Sequence, residues 1–146
     1  MRLGLEAKGA ERSMKVKTAV GFIGQGFVGG SMARALVEKG LDVHVTDLAG
    51  KHAEGTKFHS TVEEMLAAMR SMNNDRSPIV FVCLPTPMRD DGSCDTSIVY
   101  NALEKLASLT EMNRAASSGI IAVIKSTVPP GTTEDLAARP RPRCPG

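Results

Sequence analysis

The stretch from Ala19 to Gly40 reads AVGFIGQGFVGGSMARALVEKG: a short apolar run, glycines at 24, 26 and 29, then a helical pattern. Glycines spaced G-x-G-x-x-G between a strand and a helix are the fingerprint of a dinucleotide-binding turn. In that reading Gly24 permits the tight turn off the strand. Gly26 leaves the backbone open to a pyrophosphate, and Gly29 lets the helix lie close to the sheet. The unpaired amides and the dipole at the helix start then hold the phosphates. Asp47 closes the second apolar run roughly twenty residues further on, where an acid accepts the hydroxyls of the adenosine ribose. A strand–helix turn that merely needs small residues would leave Asp47 unexplained. A carboxylate there repels a 2′-phosphate, which favours NAD over NADP. Lys51 and His52 nearby soften that preference, although their plainer reading is as solvated loop residues.

From Thr18 onward, short apolar runs alternate with helical patterns. TAVGFIG, LDVHVTD, PIVFVCLP and GIIAVIKST read as four strands. After the first, Val28, Met32 and Leu36 form one helical seam with Gly29, Ala33 and Val37 beside it, and Gly40 sits where a helix would stop. TVEEMLAAMRSM reads as a second helix, capped by Ser60 or Thr61, with acids in its first turn. DTSIVYNALEKLASL reads as a third, opened by Asp95, with Val99, Ala102, Leu103 and Leu106 inward. The alternation implies right-handed βαβ units. The expected fold is α/β: a Rossmann-type parallel sheet of four strands in order 3-2-1-4, helices on both faces. In that order strands one and four flank the crevice, so Gly24 and Thr127 face each other across it. The fourth strand keeps an open edge, which invites pairing with a second copy. The expected boundaries are a flexible N-terminal extension over 1–16, the nucleotide-binding domain over 17–138, and a disordered tail over 139–146, where PRPRCPG ends the pattern.

Composition narrows the function classes. A net charge of +2 makes no demand for nucleic acid or an anionic membrane, and 3% aromatics argue against a base-stacking surface. The apolar runs are too short to cross a bilayer, and the N-terminus has no apolar core of a secretory signal. Cys83, Cys94 and Cys144 have neither metal-ligand spacing nor a pairable framework, so a reducing cytoplasm is the expected setting. His44, His52 and His59 are not spaced as a metal set either. No metal is expected.

Two later stretches speak to the reaction. VFVCLPTPMRDDGSCDTSIV resembles the signature of the UDP-glucose/GDP-mannose dehydrogenase family, in which C-x-P-T-P precedes D-G-x-x-D-x-S-x-V. IKSTVPPGTTE is similar to that family's next strand end, S-T-V-P-x-G-T. With the glycine turn, three motifs stand in the family's order from Ala19 to about Glu134. The resemblance implies oxidation of a nucleotide sugar's C6 alcohol to the acid with NAD, two molecules per sugar. It implies that the loop Gly24, Gln25, Gly26, Phe27, Val28 and Gly29 holds the pyrophosphate and Asp47 the ribose. Leu84, Pro85 and Thr86 would line the cofactor cleft, with Thr127 near the nicotinamide and the reacting carbon.

The sequence also departs from the family. The helix and P-I-x-E-P-G-L element that usually follow the Asp47 position are missing, since DLAGKHAEGTKFHS leads almost directly into TVEEML. The family's F-L-x-E element, its lysine and asparagine on the central helix, and its nucleophilic cysteine within G-x-G-G-x-C-x-P-K-D have no counterpart in these 146 residues. The resemblance therefore implies a cofactor-binding part that is inactive alone. It would bind a nucleotide sugar only with a further domain supplied. Two alternatives stay open. GFIGQGFVGGSMARAL also resembles the opening of the 3-hydroxyisobutyrate/6-phosphogluconate dehydrogenase group, although Val28 stands where that group has methionine. A non-catalytic nucleotide-binding module, or a truncated product, is the other.

Overall fold

The computed structural model describes residues 18–72, 76–112 and 119–139. The expected extension over 1–16 and residues 140–146 of the expected tail lie outside them. Five strands alternate with four helices among the described residues: β1 (Ala19–Ile23), α1 (Phe27–Glu38), β2 (Asp42–Thr46), β3 (Lys57–Phe58), α2 (Val62–Met72), β4 (Ile79–Val82), α3 (Ser97–Met112), β5 (Ile121–Ile124) and α4 (Thr132–Ala138). Every pairing between these strands is parallel, in the order β3-β2-β1-β4-β5.

The 3-2-1-4 run is present, extended by a fifth strand where four were expected. The additional strand is Lys57–Phe58, which pairs with His44 and Val45. It takes third place, so the PIVFVCLP strand becomes β4 beside β1 and GIIAVIKST becomes β5 at the edge. Two exposed residues carry no apolar run, so periodicity does not reveal them. In consequence Cys83 and Leu84, which follow β4, stand next to the glycine turn, and Thr127 is one strand further out.

β1 is buried along its whole length, as a central strand covered on both faces must be. Its side chains alternate between two cores. Ala19 and Ile23 join Met65, Leu66 and Met69 of α2 and Val99 and Leu106 of α3. Val20 and Phe22 join Ala33 of α1 with Val43 and Val45 of β2. Helices thus cover both faces. A Cβ on Gly21 would come within 2.8 Å of the Met69 sulfur, so glycine there lets α2 lie close to the strand.

The helix ends follow local chemistry. Past α1, Gly40 adopts φ +80°, its N–H donates to the Val37 carbonyl at 2.9 Å, and the Leu41 N–H reaches Leu36 at 3.1 Å. This is the paired closure typical of a helix ended by glycine. At α2, Thr61 Oγ1 accepts the Glu64 N–H at 3.2 Å while the Glu64 carboxylate accepts the Ser60 N–H at 3.1 Å. At α3, Asp95 Oδ1 accepts the Ser97 N–H at 3.0 Å, and Ala102 and Leu103 pack against the core as expected. Val28 departs from the expected seam. It is half exposed, and α1 packs instead through Gly29 and Ala33 with Met32, Leu36 and Val37 beside them. Arg139, assigned to the tail by sequence, pairs with Glu104 at 2.9 Å and lies 4.1 Å above the Tyr100 ring.

Candidate functional site

The strand ends open into one cleft of about 740 Å³. Gly24, Gly26, Phe27, Val28, Asp47, Leu84, Pro85, Thr86 and Thr127 all line it, drawn from the ends of β1, β2, β4 and β5. Of the expected site residues, Gln25 and Gly29 are not among its walls. Both are buried just beneath the turn.

The three glycines are required for three different reasons. Gly24 has φ +92°, and a Cβ on it would strike the Cys83 carbonyl. Its N–H donates to the Thr46 carbonyl at 2.9 Å, so the turn is tied between the ends of β2 and β4. A Cβ on Gly29 would strike the Gly24 carbonyl, which is how closely α1 lies on the turn. Around Gly26 the Cβ direction is empty, with nothing within 4 Å. This glycine serves no packing purpose. Its open side lies in the cleft wall, at the N-cap of α1, where no side chain caps the helix and no acid occupies the first turn. The first amides of α1 are free to meet an anion.

Asp47 is tied into the same turn. Its Oδ2 accepts the Gln25 N–H at 2.9 Å, and Oδ1 accepts the Ala49 N–H at 2.9 Å and the Lys51 N–H at 3.3 Å. Burial pushes the Asp47 carboxyl up, but these three donors, with the Lys51 charge, outweigh it and hold it below the usual carboxylate range. The carboxylate is ionised, and Oδ2 retains an open lone pair for a hydroxyl.

Ser126 carries a structural role that the sequence reading missed while it singled out Thr127. The Leu84 N–H donates to Ser126 Oγ at 2.9 Å, and Ser126 Oγ–H donates to the Leu84 carbonyl at 2.7 Å. One hydroxyl thus clips the ends of β4 and β5 together. Thr86 Oγ1 donates to the Thr127 carbonyl at 2.8 Å and completes that wall. Leu48, Val62 and Ile98 also line the cleft and were not anticipated. Val62 and Ile98 belong to the first turns of α2 and α3, where a helical pattern predicts core packing and gives no sign of a cavity.

The two thiols among the described residues are free. Burial raises the Cys83 thiol, against the nearby Lys125 charge. Cys94 Sγ lies 3.9 Å from the Thr86 carbonyl and 4.0 Å from that of Thr127. Cys144 lies outside the described residues. Among the described residues, no group of histidine, cysteine and acidic side chains could hold a metal ion, and no helix is long and apolar enough to cross a membrane.

Space, an open backbone at Gly26, free helix amides and an ionised carboxylate at the second strand's end fit a dinucleotide. Comparison with known proteins agrees. The family model described as "UDP-glucose/GDP-mannose dehydrogenase family, NAD binding domain" matches residues 18–141. A UDP-N-acetyl-D-mannosamine dehydrogenase of Methanocaldococcus jannaschii is 28% identical over 130 residues, covering 78% of this chain and 29% of the relative. A UDP-glucose dehydrogenase structure from Pyrobaculum islandicum superposes with a TM-score of 0.65 at 26% identity, over 92% of this chain and 33% of that one. A GDP-mannose dehydrogenase structure from Pseudomonas aeruginosa gives a TM-score of 0.66 at 19% identity, over 80% of this chain and 30% of that one, and speaks to the fold alone. The chain thus spans about a third or less of the length of these proteins. The match favours the first of the two enzyme readings above.

Proposed function

We propose that this chain, which belongs to the UDP-glucose/GDP-mannose dehydrogenase family through its NAD-binding domain, holds NAD in the cleft as the cofactor half of a nucleotide-sugar 6-dehydrogenase. When bound, NAD accepts the hydride that leaves the sugar's C6 carbon. The chain's own residues bind and orient. The amides at the start of α1, with Gly26 leaving the approach clear, take the pyrophosphate, and Gly24 and Gly29 keep that turn in shape. Phe27 and Val28 flank it. The open lone pair of Asp47 Oδ2 accepts a ribose hydroxyl, while Gln25 N–H fixes the carboxylate. Leu84, Pro85 and Thr86 form the opposite wall. Thr127 stands at the nicotinamide end, where its hydroxyl positions a water or the substrate alcohol. A nucleotide sugar would be held only with a further domain supplied. The two free thiols fit a reducing, cytoplasmic setting. The outer edge of β5 has no strand partner among the described residues, and a second copy is the partner proposed for it.

The observation that carries this reading is the emptiness around Gly26, a glycine with no packing duty at an uncapped helix start. Calorimetry on Gly26→Val tests it. A Cβ there meets no protein atom, so the fold persists at a cost of at most about 1 kcal/mol at the cap. NAD binding is lost, because the side chain fills the space for the pyrophosphate. A variant that still binds NAD like the parent overturns the assignment.

A further inference from the structure

Behind the cleft, and not among its walls, lies a pair of histidines. His44 of β2 is 1% exposed, and its Nδ1 lies 2.8 Å from Nε2 of the half-buried His59, which follows β3. The pair joins two segments that both run into the cleft. Thr46 and Asp47, beyond His44, form one part of the wall, and Ser60 and Thr61, beyond His59, form another. The His59 N–H also donates to the Val45 carbonyl at 2.8 Å. This backbone bond and the ring–ring bond together set where Ser60 and Thr61 stand against β2.

A bond between two ring nitrogens needs one N–H and one lone pair. The neutral pair has both, in either tautomer. One added proton still leaves both, because one ring stays neutral. A second proton sets N–H against N–H across 2.8 Å, with two like charges, and the bond is lost. The surroundings do little to hold that second proton. Asp42 lies 3.6 Å from His44 Nε2, but it is already bound to Lys57 Nζ at 2.7 Å. Lys57 of β3 stands opposite His44 in register and adds a positive charge. From β1 the facing residue is Gly21, which α2 covers with Met65 and Met69. Of the charged residues of α2, Glu63 pairs with Lys105, Glu64 accepts the Ser60 N–H, and Arg70 lies in the last turn. Burial itself lowers the basicity of His44.

We propose that the His44–His59 pair is a proton-operated latch on the Ser60–Thr61 wall of the cleft: ionisation of both rings releases that wall, and the chain holds NAD less tightly in mild acid. The inference rests on the cleft being the NAD site. By linkage, NAD binding expels protons from the pair. Asp47 does not supply this effect, since its carboxyl is held below the usual carboxylate range.

His59→Gln separates the latch from other effects of pH. A glutamine amide carries both a donor and an acceptor, so it meets His44 Nδ1 in either state of that ring. Calorimetry is done on the whole folded chain in the cold, from about pH 7.5 to about pH 5. NAD is expected to weaken about tenfold in the parent and less than about twofold in H59Q. Proton release on binding, read from buffers of different ionisation heat, is expected in the parent and not in H59Q. His52→Gln, which alters the third histidine of the chain, behaves as the parent. Amide exchange without NAD gives a second readout. Protection of the His59 N–H, compared with the amides of β1, falls toward acid in the parent and holds in H59Q. NAD affinity that stays level or rises toward acid overturns the latch and leaves the NAD site standing. An equal fall in H59Q, loss of the fall in H52Q, or His59 protection as steady as that of β1 also overturns it. If NAD does not bind even at about pH 7.5, the NAD reading fails and takes the inference with it.

Discussion

At the scale of single residues, Gly26 and Gly29 look alike in sequence and differ in kind. One faces open space, the other presses on a carbonyl. Their spacing was legible, because only that spacing serves a turn between strand and helix. So was Asp47, by type and position. Its capture by the Gln25 amide was not, because a bond between residues 22 apart depends on where two loops meet. His44 lies in the strand that LDVHVTD implies, and nothing in that run indicates its pairing. It is 1% exposed, its Nδ1 lies 2.8 Å from His59 Nε2, and its Nε2 is 3.6 Å from the Asp42 carboxylate. Burial lowers its basicity, Asp42 opposes this, and His59 and Lys57 add to it. The folded chain therefore binds a proton at His44 less readily than the unfolded chain does at its ordinary value of 6.5. Below that pH the unfolded state takes up more protons, so stability falls as the pH drops. Thermal unfolding between about pH 7.5 and about pH 5.5 is expected to show a falling midpoint, with a shallower fall in His44→Leu. A parent midpoint that holds or rises toward acid would refute the role given to His44.

At the scale of elements, what could be read was whatever buries an apolar face. The strands β1, β2, β4 and β5 and the first three helices announce themselves by period, and their caps by residue type. β3 has two exposed residues and no face to bury, so its existence depends on β2 offering a free edge. That short strand decides which strand is counted fourth and therefore what stands beside the glycine turn. The clip between β4 and β5 is likewise invisible to periodicity, because Ser126 reads as part of a turn. Its hydroxyl serves the Leu84 amide and carbonyl at once, 42 residues away in sequence. Ser126→Ala leaves the partly buried Leu84 N–H without its acceptor and is expected to cost about 1–3 kcal/mol in denaturant unfolding. The Pro85–Thr86 wall loosens with it, so NAD affinity falls as well. Unchanged stability and unchanged NAD affinity would show that water replaces the hydroxyl and that the clip is dispensable.

At the scale of the whole molecule, the sheet gathers the groups proposed to bind the cofactor from four strand ends, and among the described residues it brings no activated nucleophile to them. A covalent oxidation to the acid requires a thiolate next to the sugar carbon. Cys83 has its thiol raised by burial in the cleft wall. Cys94 Sγ sits beside two carbonyl oxygens, those of Thr86 and Thr127. Among the described residues neither thiol has a base as a hydrogen-bond partner. The expectation is that these 146 residues on their own bind NAD and turn over no nucleotide sugar. Thr127 can place a hydroxyl but cannot form the acyl intermediate that the sulfur chemistry needs. The measurement is NADH formation with UDP-glucose, UDP-N-acetyl sugars and GDP-mannose, each mixed with the purified chain and NAD. A flat trace is expected for all of them. Steady NADH formation that disappears in Thr127→Ala, yet survives serine at Cys83, Cys94 and Cys144 together, would mean that Thr127 and the strand ends form a complete catalytic site. The chain would then be an alcohol-oxidising enzyme whose chemistry needs no thiol.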